Sequence, residues 1–263
     1  MPATALETLF VGGGTGGGKT TLARALAARH GLRAFYLDSF WYEYSRRAGE
    51  ADPPPDVQWL EWTPRTQADD FERISRRNLL YALDDLRGLP KQPRVLVEGP
   101  QVVPDLLPEG ANAVFLTPSA EFQRATLSLR PMPSSDPARA LAARLVKDRL
   151  YADRVAALAR ERGFPVVEVD GSRSPEEIRA EVEERFAGFL AGNDPRELGA
   201  ARRWENENAA RNIRSWIASG DLLAAASLGF PFACECGRIG CAERVRLLLA
   251  EYDAGAGVLA PGH

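Results

Sequence analysis

The sequence predicts an α/β chain: a three-layer fold with a mostly parallel five-stranded sheet, then a small α-rich, cysteine-containing C-terminal domain. Three observations predict it. A glycine-rich stretch at 11–21, VGGGTGGGKTT, joins an apolar run to a run of helical spacing. Further apolar runs alternate with helical stretches as far as about residue 190. All three cysteines fall between residues 234 and 241. Strands that alternate with helices argue for a parallel sheet covered on both faces.

The elements follow in order. LETLFV at 6–11 reads as a strand that runs into the glycine stretch. KTTLARALAARH at 19–30 places Leu22 and Leu26 at helical spacing, and Gly31 is a natural stop. RAFYLD (33–38), RVLVEG (94–99), NAVFLT (112–117) and FPVVEVD (164–170) read as strands. The continuous apolar runs among them suit strands buried on both faces. Helices are expected at about 66–87, 119–130, 137–162 and 175–191. Ser174, Pro175 and Glu177 read as N-cap, first residue and first-turn acid of the last of these. AGNDPRELG at 191–199 reads as a linker, so one domain is expected over 1–195 and a second over 196–263. A polar helix over 201–219 opens the second.

A chain of 263 residues with 45% hydrophobic content can build one sizeable α/β domain and an appendage. A net charge of −3 gives no case for a nucleic-acid or anionic-membrane partner. Only three of the 33 basic residues are lysine, so a cluster of arginines carries little weight by itself. No run reaches the ~18 apolar residues of a membrane span. No secretory leader is expected, and the clustered cysteines are not a secreted disulfide framework. A cytoplasmic location is the expectation.

The glycine stretch fits G-x-x-x-x-G-K-[ST], with Gly13, Gly18, Lys19 and Thr20 at the fixed positions. It follows a strand and opens a helix, as a P-loop NTPase requires. Glycines let the backbone wrap phosphate oxygens, and the helix N-terminus favours negative charge. A floppy linker would not place a lysine and a threonine at those two positions. Gly13, Gly14, Thr15, Gly16, Gly17, Gly18, Lys19, Thr20 and Thr21 are therefore the candidate nucleotide cradle. Lys19 would reach the β/γ-phosphates, and the Thr20 hydroxyl would ligate Mg²⁺. The guanine motif N-K-x-D is absent, which favours ATP; the transporter motif L-S-G-G-Q is absent too.

Two carboxylates end the neighbouring strands. Asp38 follows the second strand and Glu98 ends the third. In open α/β sheets ligands sit at the carboxyl ends of strands. Asp38 could accept a proton from a hydroxyl or hold Mg²⁺; it could also be a plain cap in a strand–helix turn. Glu98 could bind Mg²⁺ through water or steer an acceptor; it could also be a turn carboxylate.

At GGGTGGGKT, DSFW and VEGP the sequence resembles P-loop small-molecule kinases, above all uridine-kinase-like proteins. The resemblance covers about residues 8–190, and the layout is equally similar to nucleotide and shikimate kinases. It implies that Asp38 is the base for an acceptor hydroxyl. It implies an acceptor pocket between the second and third strands, where residues 35–81 hold Trp41, Trp59, Trp62 and four of the six tyrosines. Those rings could instead be local core. It also implies an arginine-bearing lid, for which RPMPSSDPARA (130–140) is loop-like. Among the arginines at 124, 130, 139, 144, 149 and 154, the candidates chosen are Arg124, Arg139 and Arg144; a solvated surface is the other reading. Finally it implies a loop over the adenine at VDGSRSPEEI (169–178).

Cys234, Cys236 and Cys241 form C-x-C-x₄-C, and His263 ends the chain. Three thiolates and one imidazole would make a closed tetrahedral zinc site. Small buried thiols in a mini-core are the alternative. NEN (206–208), FACECG (232–237), CAERV (241–245), EY (251–252) and APGH (260–263) resemble a short, uncharacterised bacterial module. That implies a portable domain and no stated activity. The expected function is an ATP- and Mg²⁺-dependent phosphotransferase acting on a hydroxyl of a small molecule. The alternative is an NTPase switch whose C-terminal module meets a protein partner.

Overall fold

The structure is a computed structural model that describes residues 7–218, 228–255 and 257–263. Leu6, at the start of the first expected strand, and Ser219, at the end of the expected polar helix, lie outside the described residues.

Five strands form one parallel sheet in the order β2-β3-β1-β4-β5. They are β1 (Thr8–Gly13), β2 (Arg33–Tyr36), β3 (Val95–Glu98), β4 (Asn112–Pro118) and β5 (Val166–Val169). Helix α1 (Lys19–His30) joins β1 to β2 and stops at Gly31, whose φ of 65° lets its N–H cap the Ala27 carbonyl. Between β2 and β3 lie a 3₁₀ turn (Leu37–Phe40), α2 (Trp41–Ala48), a π-helical turn (Val57–Glu61) and the long α3 (Pro64–Leu86). Then come α4 (Ala120–Leu127) and α5 (Pro137–Glu161), and after β5 the helices α6 (Pro175–Arg185) and α7 (Ala187–Ala191). Ser174 and Glu177 form the expected capping box at the start of α6.

Alternation along the strands sorts the core into two layers. Phe10, Phe35, Val97 and Phe115 face α3 and α5 on one side of the sheet. Leu9, Val11, Ala34, Leu96 and Val114 face α1, α6 and α7 on the other. Each fully buried Leu or Phe of this kind contributes about 1.5–3 kcal/mol over its exposed state. The three-layer α/β expectation is met, and the five expected strands are the five observed.

The C-terminal part is α-rich as expected and adds a small second sheet. Helix α8 (Leu198–Ala218) is followed by an antiparallel hairpin of β6 (Phe230–Ala233) and β7 (Arg244–Leu247), then short α9 (Leu249–Ala254). A ten-residue connection between the hairpin strands carries all three cysteines. The hairpin, α8 and α9 share a small core of Ala210, Ile213, Phe232 and Val258, with Tyr252 stacked on Phe232 at 4.3 Å. Asn206 of α8 orders it: its amide donates to the Ala233 carbonyl (2.8 Å) and accepts from the Ala233 N–H (2.7 Å).

Candidate active site

Strand register brings three chain segments to one rim. Glu98 pairs with Val11 of β1 and with Tyr36 of β2. Gly13 and Asp38 each stand two residues beyond those partners. The glycine loop and both carboxylates therefore emerge together at the carboxyl ends of the central strands, where open α/β sheets take ligands.

The loop needs its glycines for close approach. Gly13 has φ +113°, and a Cβ there would stand 2.1 Å from the Leu116 carbonyl oxygen. Gly14 N–H donates to that same oxygen (2.9 Å), and Gln123 of α4 donates to the Thr15 carbonyl (2.9 Å). The loop is thereby fastened to β4 and α4. Gly18, at φ +78°, turns the chain into α1, and no side chain caps that helix. Its first N–H groups are left for an anion.

Lys19 is buried at 5% exposure, and its ammonium donates to the Gly14 carbonyl (2.8 Å). Burial pushes its pKa down; the Glu98 and Asp38 carboxylates work against that, and Arg130 adds to it. Glu98 is buried at 4% exposure. Burial pushes its carboxyl up to about 7; Lys19 opposes the rise, Asp38 reinforces it, and a hydrogen bond with the Thr20 hydroxyl opposes it. Asp38 is exposed at the end of β2 and accepts a 2.7 Å hydrogen bond from Gln101, a fully buried residue.

A cavity of about 680 Å³ opens over this rim. Thr15 to Thr21, Asp38 and Glu98 line it, with Arg130 on one wall. Gly171, Arg173, Ser174, Pro175 and Arg179 line another part, so the loop expected over the adenine does border the cavity. The volume lies within the range of small-molecule sites. The oxygen donors of Thr20, Glu98 and Asp38 suit a hard cation such as Mg²⁺.

The chosen arginines lie elsewhere. Arg124 is exposed on α4. Arg139 donates to the Leu60 carbonyl (2.8 Å), and Arg144 pairs with buried Asp148 (3.3 Å). None of the three lines the cavity among the described residues; Arg130 does. The reason is local: Arg139 and Arg144 sit on α5, which has partners of its own, whereas Arg130 lies in the loop after α4. That loop is latched to the 56–60 segment, since Asp56 accepts from Ser134 (2.9 Å) and from the Ser135 N–H (2.8 Å).

Sequence reasoning did not single out Gln101 or the Lys147–Asp148 pair. Lys147 donates to Asp148 (2.8 Å) and lies 3.8 Å from the Phe71 ring centroid. Burial would raise Asp148, but Lys147 and Arg144 outweigh it and hold the carboxylate below its usual range. Trp41 stacks on Phe71 with centroids 6.1 Å apart. Tyr44 is buried in the main core instead. The rarity of lysine was the available signal for Lys147; nothing marked Gln101.

The cysteine cluster is assembled as expected. One ligand atom from each of Cys234, Cys236, Cys241 and His263 lies within 4.8 Å of the others. His263 Nδ1 is 3.3 Å from Cys234 Sγ and 3.6 Å from Cys241 Sγ. Tetrahedral zinc with Zn–S and Zn–N bonds of about 2.3 and 2.0–2.1 Å requires S···N edges of about 3.5 Å, so these donors fit the ion. The Ala260 N–H also points at Cys234 Sγ (3.3 Å), as a partner to thiolate sulfur would.

No family model matches the chain, and no curated protein matches it. Among solved structures, the chain is similar to a shikimate kinase from Acinetobacter baumannii in complex with shikimate. The identity is 19%, over 69% of this chain and 93% of that one, with a TM-score of 0.41. It is also similar to a protein of Chloroflexus aurantiacus J-10-fl whose kinase assignment is provisional. There the identity is 19%, over 67% of this chain and 96% of that one, with a TM-score of 0.34.

Proposed function

We propose that the chain is an ATP- and Mg²⁺-dependent phosphotransferase acting on a hydroxyl of a small molecule. One observation carries this reading: Lys19 of the glycine loop and the Asp38 carboxylate line one cavity, with Glu98 between their strands. A hydrolytic loop alone needs no exposed carboxylate across from its lysine. Residues 1–195 form the nucleotide-binding part in this reading, and 196–263 form a second, metal-holding part.

The chain's own groups have these roles. The N–H groups of residues 15, 16 and 18–20 bind the phosphates, while those of Gly14 and Gly17 hold the loop's shape, and Lys19 leaves the Gly14 carbonyl for a phosphate oxygen, a stronger charge-assisted bond. Thr20 and Glu98 would hold Mg²⁺, directly or through water, and the bound ion would supply neutralisation of charge on the phosphate oxygens. Asp38 takes the proton of the acceptor hydroxyl as its oxygen bonds to the γ-phosphorus and the bond to ADP breaks. Arg130 lies where it can meet the transferring group, on a loop that can exclude water. Positioning and charge stabilisation supply most of the acceleration.

The test is ATP consumption by the purified protein with Mg²⁺, against nucleosides, nucleotides and small hydroxylated metabolites, with Asp38→Asn alongside. Acceptor-dependent turnover lost in Asp38→Asn is the expected result. Turnover that ignores both acceptor and Asp38 would move the reading to an NTPase switch.

The same reading includes zinc on Cys234, Cys236, Cys241 and His263. Three sulfurs and one imidazole nitrogen within 4.8 Å of one another support a closed structural site with no position left for water.

A further inference from the structure

The cysteine cluster does not stand apart from the nucleotide-binding part. Gly240, beside Cys241, donates its N–H to the Ala28 carbonyl near the end of α1 (2.7 Å). Arg202 of α8 donates to the neighbouring Ala27 carbonyl (2.9 Å) and pairs with Glu205 (3.0 Å), with both side chains buried. Arg244, at the base of the cysteine hairpin, completes the chain by pairing with Glu205 (2.7 Å). Arg244 and Tyr36 also line one small recess, which Cys234 and Cys241 border. Tyr36 is the last residue of β2, two positions before Asp38. On the other face of β2, Trp204 of α8 packs on Phe35 and Phe40 with centroids 5.4 and 5.9 Å away. Asp38 is thus flanked in sequence by residues that the C-terminal part holds.

We infer that the Cys₃His site is a zinc-dependent brace for the Asp38 arm: metal binding fixes the 234–241 loop, which keeps Arg244 on Glu205 beside Tyr36 of β2 and Gly240 on α1. This deepens the phosphotransferase and zinc readings and rests on both. The brace is one-sided. Its contacts reach Ala27 and Ala28, near the far end of α1, about 13 Å along the axis from Lys19 at 1.5 Å per residue. No residue of 196–263 lines the cavity among the described residues. Removing the metal should therefore loosen the acceptor side and spare the phosphate loop.

The experiment uses the full-length chain. Bound zinc is measured by mass spectrometry. Amide hydrogen exchange and ATP affinity with Mg²⁺ are then compared for the native protein, the EDTA-stripped and desalted protein, Arg244→Ala and Arg244→Lys. Expected is about one zinc per chain, the content of a closed four-ligand site. Stripping should raise exchange about tenfold at residues 33–40 as well as at 230–263. ATP affinity should change by less than about twofold. Arg244→Ala should keep its zinc yet raise exchange at 33–40, and Arg244→Lys should restore part of the protection.

Each contrary result points to a different failure. No bound zinc, even after reconstitution, overturns the metal reading. Zinc that binds and can be removed without changing exchange at 33–40 overturns the brace and leaves the zinc site standing. Loss of ATP binding on stripping overturns the one-sided coupling. Arg244→Ala with unchanged exchange at 33–40 removes Arg244 as the link. A native protein that fails to bind ATP sinks the phosphotransferase reading, while the exchange data still judge the brace.

Discussion

The Gln101 amide donates a 2.7 Å hydrogen bond to the Asp38 carboxylate from a side chain with no solvent exposure. Asp38 itself is exposed at the rim, so the buried amide sets its direction. Gln101→Leu should lower acceptor-dependent turnover about tenfold to a hundredfold, the usual loss when a positioned acid–base group is misplaced. ATP affinity should hold. Steady-state kinetics beside ATP titration checks this, and equal losses in both would make Gln101 a stability residue only.

Arg130 is expected to matter more than the arginines the sequence put forward. Arg130→Ala should cost about a hundredfold or more in turnover if its guanidinium meets the transferring phosphoryl group. Arg124→Ala should have little effect. Arg139→Ala loses a bond to the Leu60 carbonyl and should cost stability of about 1 kcal/mol rather than chemistry. Comparing turnover with melting temperature across the three variants separates the roles.

Gly13→Ala should disrupt the fold locally even without nucleotide. The added Cβ would lie 2.1 Å from backbone oxygen, in a φ region that L-residues avoid. Overpacking of this kind costs about 1–3 kcal/mol or more, with backbone strain of about 1–3 kcal/mol added. Thermal unfolding of the ligand-free protein measures it. Gly18→Ala has open space around its Cβ, so its cost should be the smaller one of the φ angle alone.

Glu98 predicts a pH dependence. Burial raises its carboxyl from 4.5 in the unfolded chain to about 7 in the folded one. Between those values the folded state binds the extra proton. Stability from this group is therefore present below about 4.5 and lost as pH rises through about 7. Glu98→Gln keeps the neutral shape at every pH. In metal-free, nucleotide-free buffer its melting temperature should gain on the native protein as pH rises from 5 to 8 by about the few degrees that 1–2 kcal/mol represents. A gap that stays constant with pH would show that Glu98 is ionised throughout. With Mg²⁺ and ATP present the same variant should lose turnover.

Much of the site was legible because its physics is local. A glycine loop followed by Lys19 and Thr20 must sit between a strand and a helix to hold phosphate, and β1 and α1 stand there. Asp38 and Glu98 were legible through strand ends, since a parallel sheet puts all such ends on one rim. Gln101 was not legible, because its meaning depends on a contact 63 positions away in sequence. Arg130 was hidden among many arginines that share its spacing but not its loop. The hairpin of β6 and β7 escaped notice because each strand has four residues, one includes Pro231, and the connection is a ten-residue cysteine-bearing loop instead of a tight turn. The cysteine site was legible as a composition; its attachment to α1 through Gly240 was not.

The position of α8 has one more consequence. β2 ends the sheet, so among the described residues one side of its backbone has no neighbouring strand. Trp204 packs α8 on Phe35 of that border strand, and Arg202 ties α8 to the Ala27 carbonyl of α1. Unguarded borders of this sort recruit strands from other molecules. A chain cut after residue 195 would keep every residue that lines the cavity and still be prone to self-association, so insolubility of such a fragment would report a bared strand and not a ruined catalytic centre.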